Sequence, residues 1–595
     1  MHRIEDYAII GNCHTAALVS RTGSIDWMCL PYFDSNASFA SLLGTRENGH
    51  WQIKPQSDIF QTTRHYREHT LILETVFETA TGKILLTDCV GMESDSVNIF
   101  RQISGLDGEM ELDLFLCPRF EYGSRLPWIK KINKHEMHIV SGPDQMVIRA
   151  NCELENKRHD VHASFEVKKN DLFDFHLVWT PSHEPPGESL EADRAITEVE
   201  NFWRSWINSC EIDTQHTPET IRSVLTLKAL TFNPTGSILA ALTTSLPESI
   251  GGPRNWDYRF CWPRDAALAI RAVINVTGQT QEIDAWRHWL LRATSGVPEQ
   301  MEVLYKLNGH RPSSEVTLHW LKGFENSYPV RTGNNAHEQL QLDIYGSVIE
   351  VFYLAQHLGL PPMDESWELA REILKFLEKI WQQPDEGIWE VRGPKRHFVH
   401  GKLMVWAAFN WCIKAYEEFD IKGDVDHWRK MRDLIKQDIC EKGFNKTKNS
   451  FTQYYGSEEA DASLLLMVLL EFLPVDDPRI IGTIQFIEQE LMLKEGVLMR
   501  YRPNPDVEGL GDCGKKAFLI CSGWLGQVYM AQGRRAEAIK VSEKLKSLTN
   551  DVGLLAEQYD PETKRLTGNF PQAFSHIALI GLELAINKEG RMYDH

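Results

Sequence analysis

Between Asp385 and Arg392 the chain reads Asp-Glu-Gly-Ile-Trp-Glu-Val-Arg, directly after Pro384. Carboxylates beside an indole and a guanidinium are materials for cleaving sugars. The indole offers a pyranose a flat apolar face, and a carboxyl in a partly dry pocket keeps its proton and can act as an acid. A solvated loop anchored by one tryptophan accounts for the same residues, so the reading needs a second carboxylate and a scaffold from elsewhere.

Three further stretches carry residues of the right types. Trp256-Asp257-Tyr258-Arg259-Phe260-Cys261-Trp262-Pro263-Arg264-Asp265 packs aromatics, arginines and aspartates immediately before an amphipathic segment. Pro263 suits a helix start and Asp265 a cap. Arg264 and Asp265 together also offer a donor fork and a two-oxygen acceptor, a pair able to grip adjacent sugar hydroxyls. Glu557 lies between the apolar run Leu554-Leu555-Ala556 and Gln558-Tyr559-Asp560, where it is either partly buried or a solvated helix-end residue. Arg500, Tyr501 and Arg502 follow Leu498-Met499, placed to orient a substrate or to pair with an acid.

Other chemistries find less support. His397 and His400 have a spacing that a metal could use, but no carboxylate or cysteine set completes it, so no metal site is expected. Gly509-Leu510-Gly511-Asp512-Cys513-Gly514 lacks the strand, the spacing and the helix start of a nucleotide loop. Neither a G-x-S-x-G elbow nor a convincing Cys/His pair points to acyl transfer.

The elements that must position these residues change character along the 595 residues, a length that implies two or three domains. Leu71, Leu73, Thr75 and Phe77 alternate with Ile72, Glu74, Val76 and Glu78. A turn at Thr81-Gly82 leads into Lys83–Thr87. Residues 109–116 alternate in strict period two, and Phe165 and Val167 precede a turn at Lys169-Asn170-Asp171 and the run Leu172–Leu177. Repeated alternation with short polar turns predicts antiparallel sheets stacked as a β-sandwich over residues 1–180. The prolines and glycine of Pro181–Gly187 interrupt it. Val199, Phe202, Trp203 and Trp206 then predict a connecting helix over about 190–207, within a linker spanning 181–217.

From Pro218 onward the period is helical. Segments are predicted at Asp265–Val276, Leu340–Leu358, Trp367–Trp381, Leu403–Lys414, Ala462–Phe472, Phe518–Ala531 and Ala573–Ala585. Residues 218–595 have room for roughly a dozen helices, the number in a closed ring of six inner and six outer ones.

Composition narrows the partners. A net charge of −20 argues against nucleic acid and anionic membrane surfaces. The opening Met1–Tyr7 lacks the apolar run of a secretory signal, and Leu464–Leu470 is too short to span a bilayer. Eleven cysteines without a C-x-x-C pair suit free thiols in a reducing cytoplasm. The oligomeric state is left open, a homo-oligomer included. The 18 Trp, 16 Tyr and 26 Phe leave aromatics to spare for a carbohydrate site.

Together these motifs resemble glycoside hydrolase family 15, the glucoamylase-type enzymes, in its bacterial and archaeal branch. Ile4–Asn12 and Gly23–Trp27 are similar to that branch's N-terminal signature. Arg254–Arg259 and His337–Asp343 are similar to signatures of its helical domain. The resemblance implies a multidomain β + α chain: an N-terminal antiparallel β-sandwich followed by an (α/α)6 barrel at 218–595. It implies Glu390 as general acid, Glu557 as general base, Tyr258, Trp262, Arg264 and Asp265 around the non-reducing glucose beside Trp389, and Arg500-Tyr501 at the next sugar. No cofactor is implied. The expected activity is inverting, exo-acting hydrolysis of trehalose or α-glucan oligosaccharides, of trehalase or glucoamylase type. Apolar surroundings are expected to keep Glu390 protonated, with Glu557 ionised. A phosphorylase of similar architecture and a non-catalytic glycan-binding protein are the alternatives. Lys402 and Lys515-Lys516 depart from the branch pattern, and the latter pair points to the aglycone side.

Overall fold

A computed structural model describes residues 2–93, 95–211, 216–294, 297–509 and 514–587; the core of the glycine-rich stretch, 510–513, lies outside them. The predicted alternation appears as strands Leu73–Glu78, Gly82–Val90, Asp160–Lys168 and Leu172–Pro181. All pairings in this region are antiparallel, and the two stacked sheets share one strand of 21 residues, Val97–Cys117. Its first part pairs with Gly82–Val90 and Leu172–Pro181, its second with His50–Pro55 and Asp160–Lys168.

The change of sheet falls at Gly105 to Gly108. A Cβ on Gly105 would come within 1.9 Å of the Lys168 carbonyl oxygen, and Gly108 has φ +63°. Glycine adopts such a conformation at no steric cost. Arg101, fully buried, forks onto Asp88 and donates to the carbonyls of Trp51 and Gly23, which ties the layers together.

After strand Leu172–Pro181 and helix Ala192–Asn208, the chain enters the helical part at Pro218–Ala229. The inner ring runs through Pro263–Thr277, Asp343–His357, Val399–Phe419, the pair Ala462–Leu465 and Leu466–Leu469, Leu519–Ala531 and Ala573–Asn587, and then back to Pro263–Thr277. Six outer helices back it: Pro218–Ala229, Gln281–Thr294, Asp364–Ile380, Val425–Lys442, Pro478–Leu491 and Arg535–Leu548. Helices buried all round, such as Leu519–Ala531, must be inner. Asp364–Ile380 buries Trp367, Ala370, Ile373, Leu374 and Leu377 along one stripe, as an outer helix does.

Several boundaries differ from the periodicity: Val399–Phe419 runs past the predicted Leu403–Lys414 at both ends, and Asp364–Ile380 starts before Trp367. The helix predicted from Leu340 begins at Asp343, because the amides of Leu340 and Leu342 donate to Glu386 and Asp385 of the 385–392 loop. The segment predicted over Ala462–Phe472 is a 3-10 turn passing into a single short helix that ends at Leu469. Among the described residues no helix is long and apolar enough to cross a membrane.

The sandwich braces the barrel. Trp27 Nε1 donates to the Leu242 carbonyl, Arg64 forks onto Asp551, and Asn550 donates to the carbonyls of Glu5 and Tyr7.

Inner helices approach closely where glycine faces a neighbour: a Cβ on Gly346 would sit 2.4 Å from the Met404 carbonyl oxygen. Gly346→Ala should therefore destabilise the protein by about 1–3 kcal/mol, read as a lower denaturant midpoint. An unchanged midpoint would mean that these two helices separate freely.

Candidate active site

The segment leading into the first inner helix is rigid before it reaches the cavity. Arg259 pairs with Asp257 at 2.7 Å and reaches the sandwich, donating to the Tyr122 hydroxyl and the Ser35 carbonyl. The helix begins at Pro263 with Trp262 as its N-cap. Asp265 is not the cap. It lies in the first turn and accepts from Arg264 Nε at 2.8 Å, a pairing in which burial still lifts the Asp265 carboxyl to about 6. Arg264 continues to the Gln341 side chain, the Ile388 carbonyl and Glu390, so the helix start and the 385–392 loop are fastened by one guanidinium.

Glu390 has φ 56°, in the left-handed region. For a residue with a Cβ this costs about 1–3 kcal/mol and persists where surrounding contacts enforce it. They do here. Trp389 donates to both carboxylate oxygens of Asp461 at 3.0 Å and packs against Phe518 and Trp524. Trp262 Nε1 donates to Glu390 Oε1 at 2.7 Å, and Arg264 Nη2 lies 3.5 Å from the same oxygen. The apolar surroundings expected for Glu390 are therefore replaced by an indole N–H and a guanidinium.

Glu557 reaches the same cavity from the other side. It precedes strand Gln558–Asp560, which pairs with Ala517–Phe518 and Arg565–Thr567. The Tyr258 hydroxyl donates to its Oε1 at 2.8 Å. Tyr258 and Trp262 meet edge to face at 5.6 Å between ring centres, so two touching aromatics hold one glutamate each. Glu557 was expected to be ionised, but burial, and then the charge of Glu248, push its carboxyl up to about 8.

Glu248 is the residue that sequence reading missed. It is buried, and it accepts from Arg254 Nε at 3.1 Å, Arg500 Nη2 at 2.7 Å and Trp256 Nε1 at 3.0 Å. Burial alone would raise its carboxyl, but Arg254 and then Arg500 outweigh that and hold it at about 2. Arg254 also pairs with the buried Glu508. A lone Glu before Ser-Ile-Gly-Gly-Pro-Arg reads as part of a surface turn, and its second arginine partner, Arg500, lies on a distant segment.

Tyr258, Trp262, Arg264, Asp265, Trp389, Glu390, Arg500 and Glu557 all line one cavity, which Trp256, Asn334 and Arg392 also border. Tyr501 does not line it: its ring packs beside Trp389. Lys516 pairs with Asp560, Lys515 is exposed, and neither borders the cavity. Lys402 is buried and donates to the Trp381 and Gln383 carbonyls, away from the cavity.

The family model for glycosyl hydrolases family 15 matches residues 218–583. The chain belongs to this family. It is a glycoside hydrolase, and a trehalase-like N-terminal model matches residues 1–171. A trehalase of Mycobacterium tuberculosis is 35% identical, covering 97% of this chain and 88% of the relative; a trehalase of Thermoplasma volcanium is 31% identical, covering 97% and 92%. A bacterial glucoamylase solved with acarbose superposes with a TM-score of 0.75 at 14% identity, over 99% of this chain and 94% of that one. That likeness is of fold, an antiparallel β-domain before an (α/α)6 barrel.

Because its folded value is raised, Glu557 should hold its proton at neutral pH and lose it in mildly alkaline solution. Infrared difference spectra of wild type against Glu557→Gln should show a protonated carboxyl band at neutral pH that disappears as the pH is raised. Its absence at neutral pH would contradict this electrostatic picture.

Proposed function

We propose that this family 15 hydrolase is an inverting α-glucosidase acting on trehalose, with Glu390 as general acid and Glu557 as general base. The observation that carries the roles is that both carboxyls line one cavity, each held by one member of the Tyr258–Trp262 pair. The relatives named trehalase, matched over 97% of this chain, support the substrate.

Chemically, the Glu390 carboxyl gives its proton to the glycosidic oxygen as the bond to C1 breaks. Water attacks C1 from the opposite face and loses a proton to the Glu557 carboxylate. The Arg264–Asp265 pair and the Trp389 wall hold the glucose that carries C1. Two carboxyls acting with a water between them need roughly 6.5–9.5 Å of separation. A phosphorylase replaces the activated water by phosphate and needs no catalytic base, so the presence of Glu557 on the cavity favours hydrolysis.

Trehalose joins two α-glucoses through their anomeric carbons, so inversion should release one β- and one α-glucose per turnover. Early-time proton NMR should show both anomers in equal amounts; α-glucose alone would mean retention. Glu390→Gln and Glu557→Gln should each lose about 10²–10⁴-fold in kcat while folding normally. Azide should restore turnover to Glu557→Ala, giving β-glucosyl azide, but not to Glu390→Gln. The acid limb of kcat/KM reports the base. Since Glu557 must be ionised and its carboxyl is raised, activity should climb with pH well above the ordinary carboxylate range. A profile already flat in mildly acidic buffer would remove Glu557 from the base role.

A further inference from the structure

Arg500, Glu248 and Arg254 line the same cavity as Glu557 and, with Glu508, form a chain of four buried charges, Arg500–Glu248–Arg254–Glu508, with contacts of 2.7, 3.1 and 2.8 Å. Each member is at least nine-tenths buried. Buried ion pairs add little net stability over apolar replacements, because desolvating the charges offsets their attraction. This one borders a cavity where chemistry is proposed. Its central carboxylate also holds the indole N–H of Trp256, which lines the same cavity.

We propose that Glu248 is a positioning residue for the hydrolytic step: its fixed negative charge, held by Arg254, Arg500 and Trp256, governs when Glu557 can act as base. This rests on the reading of Glu557 as the base. The geometry decides which of the two glutamates carries the charge. Glu248 accepts from two guanidiniums and an indole, whereas Glu557 accepts from the neutral Tyr258 hydroxyl. A second full charge close by is unfavourable in a buried site, so the proton resides on Glu557. The charged and titratable groups facing Glu557 are Glu248, Arg254 and Tyr258 from the segment before the first inner helix and Arg500 from the loop after Pro478–Leu491, with Arg264, Asp265, Glu390 and Arg392 on the same cavity. Glu248 opposes ionisation of Glu557, while Arg500 and Arg254 favour it. The arginines are in turn fixed by Glu248, so this one carboxylate both orients the cations and offsets them.

Opposite signs follow for two substitutions, which loss of packing alone would not produce. In the full-length protein with trehalose as substrate, the acid limb of kcat/KM for Glu248→Gln should move down by about one pH unit, and that of Arg254→Gln should move up by a similar amount. Glu248→Asp, which keeps the charge, should restore the limb toward wild type. Circular dichroism establishes that each variant is folded, and the Arg254→Gln profile stands as a test by itself if Glu248→Gln does not fold. Limbs that stay at the wild-type position, or that move in the same direction in both variants, would overturn the proposal. Loss of the parent reading has a different signature: a Glu557→Gln enzyme retaining full wild-type turnover would overturn both.

Discussion

The edge-to-face contact between Tyr258 and Trp262 is the constraint on which the site depends. Two carboxyls proposed to act on opposite faces of one sugar must be held apart while sharing a cavity. Neither glutamate is near the other in sequence, and neither lies on a regular helix. Each is tied through a single hydrogen bond to one ring of a pair that is itself only four residues apart. Fixing those two rings fixes both carboxyls, because an aromatic side chain has few rotatable bonds and little freedom once packed. Between the two rings in sequence lies Arg259, whose guanidinium is shared between Asp257 and the Tyr122 hydroxyl of the sandwich. The β-domain thus reaches the chemistry through one buried arginine, without lining the cavity itself.

Electrostatics divides the cavity into two halves with different logic. Around Glu390 the donors are Trp262 and Arg264, and Arg264 also answers to Asp265 and Asp343. Around Glu557 the neighbouring negative charge of Glu248 and the loss of water disfavour a second anion. Two glutamates of the same chemistry therefore meet different fields: donors crowd the proposed acid, Glu390, while the proposed base, Glu557, is held protonated and must ionise before it can act. The carboxylates at the head of the 385–392 loop take no part in that division. Asp385 and Glu386 accept the amides of Leu342 and Leu340, and so fasten the loop to the start of a neighbouring inner helix.

The barrel explains why such a crowded polar site is tolerated. Its inner helices are apolar nearly all round and pack through glycines such as Gly346, Gly523 and Gly526. Their N-terminal ends, and the loops that lead into them, are free to carry charge at one mouth. A residue held at φ 56°, as Glu390 is, can persist there because Trp389 is pinned by Asp461, Phe518 and Trp524 on two different segments.

Much of this was legible in the sequence, for a physical reason. Periods of two and of 3.6 are imprinted locally by burial of one face, so the sandwich, the change to helices and the inner helix positions could be read residue by residue, whereas of the outer helices described only Asp364–Ile380 was. Long motifs around Trp256–Asp265, Trp389-Glu390 and Glu557 likewise pointed to residues that line one cavity. What the sequence could not contain was partnership across distance. Glu248 gains its meaning from Arg500, Glu390 is surrounded by donors supplied by another segment, and Tyr501 faces Trp389 although its neighbour Arg500 faces the cavity. Helix starts moved where a distant carboxylate captured an amide. Local pattern determined the elements and named the reactive side chains; tertiary packing decided which charges meet, and so which carboxyl keeps its proton.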